Sequence, residues 1–264
     1  MKILFDKYGE QVQSILIKGN ANRLSDFFSA IDAVNGWSHD ISQGTLSSTV
    51  LDRSKVDVLI LTDRMDQPFA VSELDAIIEF VKSGGGVWCM ANHGAFSGNQ
   101  LDNNHLKYAS AVATTFFTAY QPAAYALPTL VPPVLLTGSN LFDHEIITGN
   151  DNWPLYGENA STAIGTVVTR SFCGIFPDDF GAPIVGLAVL DKVVNKQNGK
   201  PITSGVLWAS ALDDAKNFGA GRVVIGADCG WLGNTNTNDP GPGQFTEGDN
   251  PQYALNTIAW LGRL

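Results

Sequence analysis

The stretch GGGVWCMANHG, residues 84–94, decides how the rest of the chain is interpreted. Three glycines are followed by a short apolar run, and the polar pair Asn92 and His93 comes directly after it. An apolar run of this length between turn residues is typical of a buried strand. Because ligands of open α/β sheets bind beyond the carboxyl ends of the strands, Asn92 and His93 become candidate site residues.

The segments before this stretch complete a strand–helix–strand unit. Residues 56–63 form a nearly continuous apolar run, which is typical of a parallel strand covered on both faces. Residues 72–81 repeat apolar side chains at helical spacing, with Ser72 as the predicted N-cap and Gly84 just past the helix end. Such a unit favours a right-handed crossover and a parallel sheet, so the predicted fold class is α/β.

Further elements are predicted on both sides of this unit. We expect strands at residues 2–5, 37–41, 162–168, 184–190, 204–209 and 222–228, and helices at 23–34, near 47–51 and at 251–261. Asp249 and Asn250 are predicted to cap the last helix, with Pro251 in its first turn. Residues 111–138 lack a clear period and are interpreted as an irregular insertion in one domain spanning residues 1–264.

The charge of the chain limits the kinds of partner it can have. With 16 Lys and Arg against 26 Asp and Glu, the net charge of −10 repels phosphate backbones and anionic lipids, so nucleic acid and membrane partners are not expected. A small neutral or cationic ligand fits this charge, and a homo-oligomer or protein partner stays open. Localisation is cytoplasmic by default, and an exported mature protein is also compatible with the sequence.

Three segments carry a resemblance to a known family. They are the strand at 56–63 with SELDAIIEFVKSGGG at 72–86, the strand that enters ANHG at 91–94, and GAGRVVIGADCGWLGN with GDNPQYALNTIAWL between residues 219 and 261. Through them the chain resembles the class I glutamine amidotransferase-like superfamily, in particular its non-amidotransferase branches such as the trehalose-utilisation-type domains. The resemblance implies a flavodoxin-like, mainly parallel sheet with helices on both faces.

The chain departs from active members of that superfamily at the catalytic positions. Those enzymes carry a nucleophilic Cys on a turn directly after the strand that follows the glycines, with a His and a Glu late in the chain. Here that turn falls at Ala91 or Asn92, Cys89 lies inside the strand, and no His follows His144. The Cys-His-Glu triad is absent, so the leading hypothesis is a ligand-binding or interaction domain without glutamine amidotransferase activity.

A hydrolase is the second hypothesis. Asp6, Asp63 and Asp228 follow predicted strands at the same sheet edge as Asn92 and His93. A carboxylate beside His93 would raise its pKa and orient its ring, as a general base or a divalent metal site requires. The substrate would be carbohydrate-related or another small neutral molecule. In the simpler alternative, each Asp accepts hydrogen bonds from backbone N–H groups of its own loop.

Five residues complete the predicted ligand-binding set, and all five lie at or just after strand ends: Asp6, Asn92, Cys229, Trp231 and Asn234. A Trp beside polar residues can stack on a sugar ring, but a buried Trp whose N–H finds a carbonyl has the same sequence signature. Cys229 is either a thiol at the site or a small buried residue. Both alternatives stay open at the level of sequence.

Overall fold

The structure is a computed structural model, and it describes residues 1–9, 12, 16, 23–64, 67–91, 95–97, 100–102, 111–113, 115–116, 120–123, 134–169, 174–177, 184–189, 193–194, 201–202, 207–213, 219–234 and 243–264. Four helices are named here: α1 (Ser25–Asp32), α2 (Val71–Lys82), α3 (Glu145–Thr148) and α4 (Asn250–Leu261). None of the helices in this part of the chain is long and apolar enough to cross a membrane.

The strands form one large sheet and three small pairs. In chain order they are β1 (Lys2–Phe5), β2 (Ser38–Ile41), β3 (Val58–Leu61), β4 (Gly86–Met90), β5 (Ala95–Ser97), β6 (Gln100–Asp102), β7 (Tyr120–Ala123), β8 (Val134–Thr137), β9 (Thr166–Thr169), β10 (Gly174–Pro177), β11 (Ile184–Val189), β12 (Val193–Val194), β13 (Pro201–Ile202), β14 (Leu207–Leu212) and β15 (Arg222–Gly226). The nine-stranded sheet has the order β2-β1-β3-β4-β15-β14-β10-β7, and β11 also pairs with β14.

One half of the large sheet is parallel and has the flavodoxin order. β2, β1, β3, β4 and β15 pair in parallel, and the order reverses between β1 and β3 as in flavodoxin-like folds. The predicted α/β, flavodoxin-like class with helices on both faces is therefore confirmed. The remaining strands β14, β10, β11 and β7 are antiparallel to their neighbours. β14 and β15 are joined by residues 213–221, fewer than the dozen or so residues that a parallel crossover needs, which agrees with their antiparallel pairing.

Buried aromatic residues of β4 and the helices form the core on one face of the sheet. Trp88 in the middle of β4 contacts Phe27 of α1 at 6.5 Å and Tyr253 of α4 at 6.3 Å between ring centroids. Every residue of α4 is buried, because α4 packs against the sheet and also against α1, α3 and β9. Ile77, Phe80 and Val81 of α2 are buried as well.

The glycines before β4 are required by close packing. Gly84 has a φ of +100°, which side-chain-bearing residues rarely adopt. A Cβ on Gly86 would lie 2.6 Å from the carbonyl oxygen of Leu261, so only glycine lets β4 begin beneath the end of α4. The glycine run therefore ends one helix and admits the following strand, as the sequence predicted.

Two local predictions were wrong. Helix α2 begins at Val71 with Ala70 as its N-cap, because the Glu73 side chain accepts the Ala70 N–H at 3.0 Å, so Ser72 lies inside the first turn. Residues 47–51 form only a turn and a bend. In the range 111–138, interpreted as an irregular insertion, the described residues include β7 of the large sheet and β8, which pairs antiparallel with β9.

Helix α4 begins where the sequence predicts, with Asp249 at the N-cap position and Pro251 in the first turn, but the Asp249 side chain makes no capping bond. Its Oδ2 instead accepts hydrogen bonds from the backbone N–H groups of Gly165 and Thr166, at 2.8 and 2.9 Å. Asn250 binds both the N–H and the carbonyl of Val168 at 2.9 Å. The start of α4 therefore anchors β9.

His144 caps α3, and this makes stability depend on pH. Its Nδ1 accepts a hydrogen bond from the N–H of Ile146 at 3.1 Å, and desolvation by burial lowers the pKa of His144 below 6.5. The unfolded chain therefore takes up the proton more readily, so the free energy of unfolding should fall as the pH drops below 6.5. His144→Asn keeps a capping acceptor but cannot take up a proton. We therefore expect the variant to lose this part of the dependence of the free energy of unfolding on pH.

Urea unfolding at a series of pH values measures the effect. At pH 7.5 we expect His144→Asn and the unchanged chain to agree within about 0.5 kcal/mol. Identical slopes for both proteins between pH 7 and pH 5 would contradict the role assigned to His144.

Candidate functional site

The sheet order brings the predicted strand-end residues to one edge. β4 lies between β3 and β15, and Asp63 and Asp228 follow the ends of these two flanking strands. Ala91 follows β4 and is buried, with its N–H bonded to the carbonyl of Gly226 at 2.9 Å. Asn92 and His93 lie outside the described residues, so their predicted roles stay predictions.

Asp6 is part of a buried ion cluster with Arg64 and Glu73. The Arg64 guanidinium donates from Nε to Asp6 Oδ2 at 2.7 Å and from a terminal nitrogen to Glu73 Oε1 at 2.9 Å. The three side chains are at most 4% exposed. Glu73 also accepts from the N–H groups of Leu46 and Ala70, both at 3.0 Å. The cluster joins β1, the end of β3 and the start of α2 at the reversal point of the sheet.

Asp6 and Glu73 share the Arg64 cation, but their pKa values shift in opposite directions. Burial raises the pKa of Asp6, and the hydrogen bonds and charge of Arg64 oppose this only in part. Burial also acts to raise the pKa of Glu73, but hydrogen bonds from Arg64 and from two backbone N–H groups outweigh it and lower the pKa. Desolvation disfavours charged Arg64, yet both carboxylates together raise its pKa. The guanidinium therefore stays charged and holds the cluster together.

Asp63 and Asp228 both accept hydrogen bonds from the protein. The Cys229 thiol donates to Asp63 Oδ1 at 2.9 Å, which links the end of β3 to the segment after β15. Asp228 accepts from the Thr169 hydroxyl at 2.8 Å and from the Gly230 N–H at 2.7 Å, one bond to each carboxylate oxygen. The second of these bonds is the local backbone contact that the simpler alternative predicts for a strand-end Asp.

Cys89 lies inside β4 and is 3% exposed. Desolvation by burial raises the pKa of its thiol to about 12, and the nearby charges of Asp63 and Asp6 add to the rise. A nucleophilic Cys requires the opposite environment, because the thiolate is the reactive form. The thiol of Cys89 therefore stays protonated at neutral pH.

Trp231 and Asn234 have internal partners. Trp231 is 1% exposed, packs on Trp88, Trp208 and Tyr253, and donates its Nε1–H to the Asp228 carbonyl at 3.0 Å. Of the two alternatives for this residue, the buried Trp whose N–H binds a carbonyl is therefore the one observed, and no face of the ring is exposed to a sugar. Asn234 donates to the Ser25 hydroxyl at 2.7 Å and accepts from the Asp26 N–H at 3.1 Å, which fixes the start of α1.

Sequence reasoning did not find Arg64, Glu73 or Thr169 as partners at this edge. Arg64 directly follows Asp63 in the segment LTDR, and a cation that close to a strand end was the available signal. Glu73 lies in the first turn of α2. Its nine-residue separation from Arg64 hides the contact, because no secondary-structure period corresponds to it.

A small cavity opens at the carboxyl end of β1 and β2. Its volume is about 330 Å³, and Lys7, His39 and Asp40 are among the residues that line it. Among the described residues, no group of three or more His, Cys, Asp or Glu side chains is arranged to hold a metal ion. A divalent metal at His93 stays a prediction, since His93 is not among them.

Similar structures establish the fold. Neither a protein-family model nor a curated protein sequence matches the chain. The ThuA-like protein from Bacteroides uniformis ATCC 8492 is similar with a TM-score of 0.54 and 14% identity, over 98% of this chain and 90% of that chain. The chain has the fold of ThuA-like proteins. This agrees with the trehalose-utilisation-type resemblance at the level of fold.

Two further structures share this fold over nearly the whole chain. The mmIFT52 N-terminal domain matches with a TM-score of 0.67 and 12% identity, covering 98% of this chain and 97% of that chain. The cytoplasmic protein STM1381 from Salmonella typhimurium LT2 matches with a TM-score of 0.54 and 13% identity, covering 99% of both chains. At such identities the likeness concerns the fold and says nothing about activity.

Proposed function

We propose that this chain is a ligand-binding or interaction domain of the glutamine amidotransferase-like superfamily that does not carry out glutaminase chemistry. The position of Cys89 carries the proposal. Its thiol is buried within β4 with a pKa raised to about 12, while the residue after the strand is Ala91. The position of the nucleophile therefore holds Ala91 or Asn92, neither of which carries a thiol, and the thiol of Cys89 is protonated and buried.

The carboxylates at the sheet edge support the same proposal. Both oxygens of Asp6 accept from Arg64, and both oxygens of Asp228 accept from Thr169 and Gly230. Carboxylates that are held in this way stabilise the loops beyond the strands. A polar pocket at this edge would then bind a small neutral or cationic ligand through the residues that follow β4.

Incubation of the purified chain with glutamine tests the proposal. We expect ammonia release at least about 10³-fold below the roughly 1–10³ s⁻¹ of ordinary enzymes. Cys89→Ala and Cys229→Ala should behave like the unchanged chain in this assay. Release of ammonia that disappears in either variant would contradict the proposal, because it would show a working thiol.

A hydrolase is the second candidate, and one contact favours it. The Cys229–Asp63 bond of 2.9 Å joins the segments that follow β3 and β15, the two strands that flank β4. We propose for this case that His93 activates water as a general base or binds a divalent metal, with Asp63 or Asp228 orienting it.

The same purified protein decides between the two candidates when it is assayed with p-nitrophenyl glycosides and esters. Turnover that His93→Ala abolishes and His105→Ala retains would establish the hydrolase. Absence of turnover, or equal turnover in both variants, would exclude His93 as the catalytic base for these substrates.

A further inference from the structure

A larger cavity lies beside α1. It has a volume of about 620 Å³ and is formed by α1, the loop 154–157, Thr246 and Leu255. This volume falls within the range of about 300–1,000 Å³ that is usual for small-molecule sites. None of its lining residues belongs to the predicted site at the carboxyl edge of the sheet.

Asp26 is the one residue with a formal charge among those that line this cavity. Its backbone N–H binds Asn234 Oδ1, but the carboxylate forms no hydrogen bond or ion pair with the described residues. Asp26 lies in the first turn of α1. In a chain of net charge −10, this unneutralised carboxylate attracts a cation.

The other walls of the cavity are mainly apolar. Ala33 and Val34 lie on one side, while Leu155 stands on the other with 47% of its surface exposed. Tyr156 also lines the cavity, and its ring meets Phe245 edge-on, with ring centroids 6.3 Å apart. A cavity lined by a carboxylate and an aromatic residue suits an ammonium group, because the face of an aromatic ring attracts cations.

The loop that forms the outer wall is fixed to α4. Gln252 accepts a hydrogen bond from the Tyr156 N–H at 2.8 Å and donates one to the Pro154 carbonyl at 2.9 Å. Gln252 is itself 1% exposed, so both bonds are shielded from water. The cavity is therefore formed before any ligand arrives, which lowers the entropy cost of binding.

We infer that this cavity binds a small organic ammonium ion. The ammonium group pairs with Asp26, and an aliphatic or aromatic body packs against Val34, Leu155 and Tyr156. This site is separate from the strand-end pocket of the proposed function, and the inference holds whether or not that pocket binds a ligand.

Calorimetric titration of the full chain with 2-phenylethylammonium chloride tests the inference. We expect one saturable site with a Kd at or below about 1 mM, which is within reach of a ligand of this size. 2-Phenylethanol and 3-phenylpropionate carry the same ring with a neutral or anionic head, and each should bind at least about tenfold more weakly.

Three variants locate the site. Asp26→Asn should weaken binding of the ammonium ion at least about tenfold, because it removes the paired charge and keeps the shape. Ala33→Leu, at an exposed position on the cavity wall, should also weaken binding by filling the space. Asp75→Asn makes the same charge change at an exposed position of α2 and should leave the Kd unchanged.

Circular dichroism melting confirms that each variant is folded. Four results would overturn the inference: no saturable binding at about 10 mM ligand, equal binding of the alcohol or the acid, an unchanged Kd in Asp26→Asn, or an equal loss of affinity in Asp75→Asn. The last result would assign the effect to overall charge rather than to this cavity.

Discussion

Replacing Arg64 with Met is expected to lower the free energy of unfolding by about 3–5 kcal/mol. The substitution keeps a long side chain but leaves Asp6 and Glu73, which are almost fully buried, without their shared cation. The loss therefore reflects two uncompensated carboxylates more than the strength of the ion pairs themselves. Urea or guanidinium unfolding, followed by tryptophan fluorescence, measures the change.

Lys82→Met is the matched control for this experiment. Lys82 also pairs with a carboxylate at 2.7 Å, but both partners are about half-exposed or more. Its loss should cost less than about 1 kcal/mol. A chain in which Asp6→Asn and Glu73→Gln accompany Arg64→Met should recover part of the stability, since no buried charge then remains. A loss below about 1 kcal/mol for Arg64→Met alone would contradict the structural role of the cluster.

Replacing Trp88 with Ala is expected to cost about 3–5 kcal/mol. Trp88 is 1% exposed and touches α1 through Phe27, α4 through Tyr253, and the ring of Trp231. Removal of its ring leaves a cavity at the place where the central strand meets both helices. These neighbours are held by other contacts, so they cannot close the space fully. Thermal and denaturant unfolding report the loss.

Phe142→Ala is the control for loss of an aromatic ring. Phe142 is 38% exposed, and its truncation should cost no more than about 1 kcal/mol. Trp88→Phe keeps most of the apolar contact, so its loss of unfolding free energy should lie between those of Trp88→Ala and Phe142→Ala. Equal effects of Trp88→Ala and Phe142→Ala would show that β4 is not the centre of the core.

The parallel half of the fold was predictable because its signals are local. The apolar runs of β3 and β4 and the helical period of α2 lie within single segments, and their observed bounds differ from the predicted ones by a few residues at most. Strand direction in the other half depends on which strand becomes the neighbour. The antiparallel pairing of β11 with β14 is decided by tertiary packing, which no local period encodes.

The candidate site was predictable in position more than in chemistry. Asp6, Asp63 and Asp228 do lie at the carboxyl edge, because the parallel strands fix that edge. Their hydrogen-bond partners could not be predicted from the sequence. Asp6 meets Arg64 across 58 positions and Asp63 meets Cys229 across 166, so each contact exists only after the chain has folded.

The burial of Trp231 shows a different limit of sequence reasoning. Its neighbours in the chain are glycines, a leucine and a cysteine after a strand, which is compatible with a surface turn. The ring nevertheless lies among Trp88, Trp208 and Tyr253, with its N–H bonded to the carbonyl of Asp228. An amphipathic side chain can satisfy its N–H inside or outside the protein, so its exposure cannot be inferred from composition.

Among the described strands, β15 comes last in the sequence, but it lies in the middle of the sheet, between β4 and β14. Without residues 222–226, the facing edges of β4 and β14 would have no common partner. Unpaired apolar edges of this kind promote aggregation. A short segment late in the sequence therefore joins the parallel and the antiparallel parts of the sheet.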